Sequence, residues 1–142
     1  GQKQMTIHFD REKLFSDANV AILATVDSKN RPHGMPIWYI YQDGTFVMSA
    51  SGTSQKVRNI QRLGNATLII DRRETPYHAV MIRGRAEVGP APDDAWRLKL
   101  AVRYLGEEQG NAYQSQGSSD NSVTITLHPD DVIEYQGAAG RD

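Results

Sequence analysis

The most constraining feature of the chain is the run 79–88, in which apolar and charged residues alternate. Val80, Ile82, Gly84, Ala86 and Val88 fall on one side, and Arg83, Arg85 and Glu87 on the other. A period of two suits a strand with one face in a core and the other in water. Shorter strand-like runs cover 20–26, 34–41, 45–50, 66–71, 123–127 and 132–135. Turn formers separate them at 27–32, at Gln42-Asp43-Gly44 and at 128–131. The first three strands are therefore expected to form an antiparallel meander. Helical spacing replaces alternation at 55–63, where Val57, Ile60 and Leu63 recur between a Thr53 or Ser54 cap and a Gly64-Asn65 stop. Residues 10–16 read as a short helix capped by Asp10, and 93–105 as a helix with Trp96, Leu100 and Tyr104 on one face. The segment 106–122, rich in Gly, Gln, Ser and Asn, reads as a loop with at most a turn or two of helix.

Many strands and few helices imply a mainly β, α+β fold: an antiparallel barrel or sandwich with helices attached, as one domain over residues 1–142. With 16 basic and 17 acidic residues the net charge is −1, so neither nucleic acid nor an anionic membrane is the expected partner. The absence of cysteine removes disulfides, thiolate metal sites and thiol catalysis, and is compatible with a cytoplasmic location. No run approaches the ~20 apolar residues that span a bilayer, and the first twenty residues hold no signal-peptide block. Met5 reads as a possible native start.

The segment 51–59 carries the sharpest chemical signal. Ser51, Thr53 and Ser54 stand where a helix begins, and Lys56 follows at its second position. Free N–H groups and the dipole at a helix start attract an anion such as phosphate. Ser54 and Gln55 would add donors, Lys56 a mobile positive charge, and Asn59 a further amide one turn on. The alternative is an ordinary capped amphipathic helix with solvated cations. Pro36 interrupts the apolar run 33–41, which marks an edge or bulge where a flat ring can approach the backbone beside Met35, Ile37 and Trp38. Those side chains equally suit a core or an interface between subunits. His8, His33, His78 and His128 lack metal-ligand spacing, so no metal is expected. No nucleophile elbow, P-loop or dinucleotide fingerprint occurs. Arg72-Arg73-Glu74 reads as a charged turn, with an arginine reaching an acidic cofactor tail as the second reading.

The order of these pieces resembles the pyridoxamine 5′-phosphate oxidase-like split β-barrels, in particular the flavin/deazaflavin oxidoreductases. The matching segments are 21–26, Arg31 to His33, Met35 to Trp38, Phe46 to Ser49, Ser54 to Asn59, 82–88 and 132–135. The resemblance implies a six- to seven-stranded antiparallel split β-barrel with a few flanking helices. It implies a homodimer whose cofactor groove is completed by the second subunit. It also implies that Ser54, Gln55, Lys56 and Asn59 hold the cofactor phosphate, while Met35, Pro36, Ile37, Trp38 and Ser49 border the ring. Members that use FMN often carry an arginine two residues before the lysine, where this chain has Ser54. Ser54-Gln55-Lys56 resembles the branch that binds coenzyme F-420, a deazaflavin with a lactyl-oligoglutamate tail. The expected activity is therefore hydride transfer from reduced F-420 to an electron-poor small-molecule acceptor. The alternatives are an FMN-dependent oxidase or reductase and a non-catalytic F-420 carrier. Pyridoxamine phosphate oxidation is not expected, because the longer arginine-bearing C-terminal part used for it is missing. No catalytic residue is identified; Tyr77 is a proton donor without a spacing argument.

Overall fold

In a computed structural model, which describes residues 10–117 and 121–137, the alternating run is the central strand of a seven-stranded antiparallel sheet. Met5 and His8 lie outside the described residues. The elements in chain order are α1 (Arg11–Ser16), β1 (Ala21–Val26), β2 (Pro32–Ile37), β3 (Ile40–Gln42), β4 (Thr45–Ser51), α2 (Gln55–Leu63) and β5 (Asn65–Arg72). They continue with β6 (Tyr77–Gly89), α3 (Asp94–Leu105), α4 (Glu107–Gln114) and β7 (Ser122–Gly137). The sheet order is β2-β1-β5-β6-β7-β4-β3.

The pleat of β6 buries Val80, Ile82 and Ala86 and leaves Arg83, Arg85 and Glu87 in water. Leu23, Leu68 and Ile125 complete the inner face, with Phe15 set edge-on to Phe46 at 5.0 Å. Each large apolar side chain buried here stabilises the fold by about 1.5–3 kcal/mol. α2 lays Val57 and Ile60 into the same core and stops at Gly64, whose φ of 72° is the left-handed conformation glycine adopts without strain.

Two expectations are corrected. The second strand does not run unbroken over 34–41 but is two strands at opposite edges of the sheet. β2 pairs with β1, whereas β3 pairs with β4, and only Trp38 and Tyr39 lie between them. The chain thus steps from one edge to the other, which requires the sheet to curl until its edges approach. The meander ends at β2. At this step the backbone N–H of Tyr39 has no strand ladder to join, and it donates to Tyr104 Oη on α3 at 3.1 Å. The Tyr39 ring is fully buried and its hydroxyl donates to the Phe15 carbonyl at 2.9 Å. Burial pushes that phenol above its usual range, so it stays a neutral donor.

The turn expected at 128–131 is the second correction. β7 runs straight through it, with a register shift against β6: Arg83 faces Asp131 and Gly84 faces Pro129, leaving Asp130 as the extra residue of a bulge. Pro129 is tolerated because the ladder is already disrupted there. The segment 106–122 contains α4, which is eight residues long.

One carboxylate shapes the β1–β2 turn. Asp27, 4% exposed, accepts from the N–H groups of Lys29 and Arg31 at 2.9 Å and from Arg31 Nε at 2.8 Å, and it meets His33 Nε2 at 2.9 Å. The His33 contact first, then the Arg31 N–H, holds this carboxyl well below the usual carboxylate range. A depressed carboxylate contributes stability that is present above the unfolded value of about 4 and is lost as the pH falls through the folded value. Asp27→Asn is therefore expected to melt below wild type at neutral pH, with a gap that holds down to about pH 4 and closes in stronger acid. Thermal melts across that range check it; a gap insensitive to acid would show that the charge does not hold the turn.

Candidate functional site

The curl leaves a cavity of about 490 Å³ at the split between the sheet edges. β2 and the step after it supply Pro36, Ile37 and Trp38, β4 supplies Ser49, and the first turn of α2 supplies Lys56. These residues are far apart in sequence and meet because β2 flanks the split on one side and, past the short edge strand β3, β4 flanks it on the other. α3 covers the cavity with Trp96, Arg97, Leu100 and Ala101, and α4 adds Tyr113 and Gln114. Asp93 sets the start of α3 by accepting from the Trp96 N–H at 2.8 Å.

The other residues named from sequence do not line the cavity. Met35 is 55% exposed on the edge strand β2. Ser54 stands at the cap of α2, but its hydroxyl donates to the Ser51 carbonyl at 2.7 Å, and no side chain among the described residues caps the helix. Gln55 Nε2 donates to Asn59 Oδ1 at 2.7 Å, and Asn59 Nδ2 donates to Thr25 Oγ1 at 3.0 Å. Asn59, 1% exposed, thus ties α2 to β1 and supports the helix start from below. Lys56 has no hydrogen bond or ion pair among the described residues. An uncapped helix start beside an unpaired ammonium offers positive charge and free N–H donors on one side of the cavity.

The aromatic wall is held rigidly. Trp38 stacks on Tyr104 with centroids 4.8 Å apart and planes at 6°, and Tyr113 lies 6.1 Å away. Tyr104 Oη donates to the Asn19 carbonyl at 2.9 Å. Arg103 donates from both terminal nitrogens to carbonyls at and just past the end of α1, at 2.6 Å to Ser16 and 2.7 Å to Asp17, which pins α3 to the barrel. Trp96 Nε1 is buried with no hydrogen-bond partner among the described residues. That orphaned donor, the uncapped helix start and the unpaired Lys56 all suit an anionic group that carries hydrogen-bond acceptors. Sequence reasoning named Trp96 and Leu100 as one helical face, but nothing local to α3 or α4 told that this face covers the split.

Tyr77 is away from this cavity. With Arg72, Arg73 and Tyr135 it lines a shallower groove of about 420 Å³. Among the described residues no three His, Cys, Asp or Glu side chains are grouped to hold a metal, and no helix is long and apolar enough to cross a membrane.

A family model for pyridoxamine 5′-phosphate oxidase matches residues 10–135, and the chain belongs to this family of split β-barrels. No curated protein matches the chain. Among solved structures, an F-420 reductase is 24% identical over 89% of this chain and 98% of its own, with a TM-score of 0.73. A FAD-binding protein from Mesorhizobium loti is 15% identical, over 87% of this chain and 89% of its own, with a TM-score of 0.61. The heme storage protein HutZ from Vibrio cholerae is 15% identical, over 89% and 93%, with a TM-score of 0.66. At such identities the likeness shows the shared fold.

Proposed function

We propose that this protein is an oxidoreductase that binds coenzyme F-420 in the cavity at the split and serves hydride transfer to an electron-poor organic acceptor. The observation that carries this reading is the meeting of Lys56, Ser49, Pro36, Ile37 and Trp38 around one cavity beside the uncapped start of α2. Lys56 and the free N–H groups of that turn would take the phosphate, with Ser54, Gln55 and Asn59 supporting the turn. Met35, at the exposed edge, and Pro36, Ile37, Trp38 and Ser49 would border the ring. When bound, the deazaflavin supplies the hydride chemistry. The chain's own share is orientation and exclusion of water, through the Trp38–Tyr104 stack and the cover formed by α3 and α4.

A flavin in the same cavity is the second reading, favoured by the FAD-binding protein that shares the fold. Titration with F-420 and with FMN, followed by fluorescence polarisation of each, tests both. Saturable binding of F-420 in preference to FMN is expected. The reverse order moves the assignment to a flavin, and binding of neither sinks it. Binding without oxidation of reduced F-420 by any enone or quinone acceptor would make the protein a carrier.

The homodimer belongs to the same proposal. Across the outer face, cross-strand pairing aligns Pro36, Ile22, Ile69, Met81 and Ile133 in one apolar row that begins at the cavity lining. Two copies related by a two-fold axis would meet along this row, since an isologous contact needs one self-complementary patch. Met81→Arg is expected to convert the dimer to monomers in light scattering at an unchanged fold. A wild-type protein that is already monomeric would refute the contact.

A further inference from the structure

The cavity holds a second cation. Arg97 of α3 lines it with Trp96, Tyr113 and Gln114, and its side chain is 17% exposed. Its ion pair runs from one terminal nitrogen to Asp94 Oδ1 at 3.3 Å, and that carboxylate is itself 89% exposed and so strongly screened by solvent. A guanidinium carries five N–H donors in a planar fork. The remaining nitrogens of Arg97 make no hydrogen bond to the described residues, yet they are not sealed from solvent. A largely buried fork with spare donors and one weak counter-charge matches a carboxylate, which it can grip with two parallel hydrogen bonds.

We propose that Arg97 binds a carboxylate of the ligand that fills the cavity, as a second anion point on a different element from Lys56. The proposal rests on the cavity being the cofactor site. The carboxylate comes either from the acidic tail of the deazaflavin or from the acceptor. The test titrates wild type, Arg97→Gln and Asp94→Asn by fluorescence with four probes: F-420, FMN, 2-naphthoate and 2-naphthamide. FMN and the amide lack a carboxylate. Arg97→Gln is expected to weaken F-420 or 2-naphthoate by about tenfold or more and to leave FMN and 2-naphthamide within about twofold. Asp94→Asn, which frees the fork, is expected to tighten the same carboxylate. A loss confined to F-420 assigns the tail, and a loss on 2-naphthoate assigns the acceptor. Equal binding of all four probes across the three proteins overturns the proposal. A wild type that binds neither F-420 nor FMN sinks the cofactor reading instead, and the naphthoate pair then judges Arg97 alone.

Discussion

Gly84→Ala is expected to destabilise the protein by about 3 kcal/mol, at the upper end of what an added methyl group costs in a packed interior. A Cβ at this position would stand 1.9 Å from the His128 carbonyl oxygen and 2.8 Å from its carbon. Both are backbone atoms at the bulge where Asp130 is inserted, so relief requires moving β7 rather than rotating a side chain. β6 and β7 are the longest strands of the sheet, and the shift would propagate along their ladder. For a domain of this size the melting temperature should fall by about 10 °C. Gly89→Ala is the matched control, because none of the described residues lies within 4 Å of its added methyl. Thermal and denaturant unfolding of the two variants decide the matter. If Gly84→Ala melts with Gly89→Ala, the two strands do not approach each other as described.

Lys56→Ala should weaken cofactor binding by about 1.5–3 kcal/mol, or roughly 10- to 150-fold, the usual worth of a hydrogen bond to a charged group. The fold should hardly notice the change. Lys56 makes no ion pair among the described residues, and the residues that anchor α2, Val57, Asn59 and Ile60, remain in place. Substitutions away from packed or paired features stay within about 0.5 kcal/mol of wild type. Lys56→Arg, which keeps the charge but changes the donor geometry, should fall between the two. Unchanged affinity in Lys56→Ala would remove the phosphate role, and with it the main support for a redox cofactor at this helix start.

Much of the fold was legible in the chain, because pleat and helix impose local periods. The alternation over 79–88 specified β6 and its buried face, and Val57 and Ile60 specified the inner face of α2. Asp10 marked the start of α1 as an acceptor for its first free N–H groups, whereas Asp93, read as the first residue of its helix, is in the structure the cap that accepts from the Trp96 N–H. The split of the second strand was not legible. Pro36 marked an edge or bulge within 34–41, but nothing in that run tells that Pro36 and Ile40 pair with different neighbours at opposite edges. Nor did the turn formers at 128–131 declare a bulge, since that depends on Gly84, more than forty residues away.

The candidate site divides the same way. Residue types alone singled out Lys56 at a helix start and the interrupted run around Pro36, because charge, free donors and a missing ladder bond are properties of a few consecutive residues. The family resemblance grouped Ser49 and Trp38 with Lys56; tertiary structure alone decided that these three line one cavity, that Asn59 is engaged with Thr25, and that α3 brings Arg97 and Trp96 over the opening. The physical reason is closure. Once the sheet curls so that β2 and β3 can be consecutive in the chain yet sit at its two edges, distant residues must meet at the split, and a local sequence window carries no record of which ones.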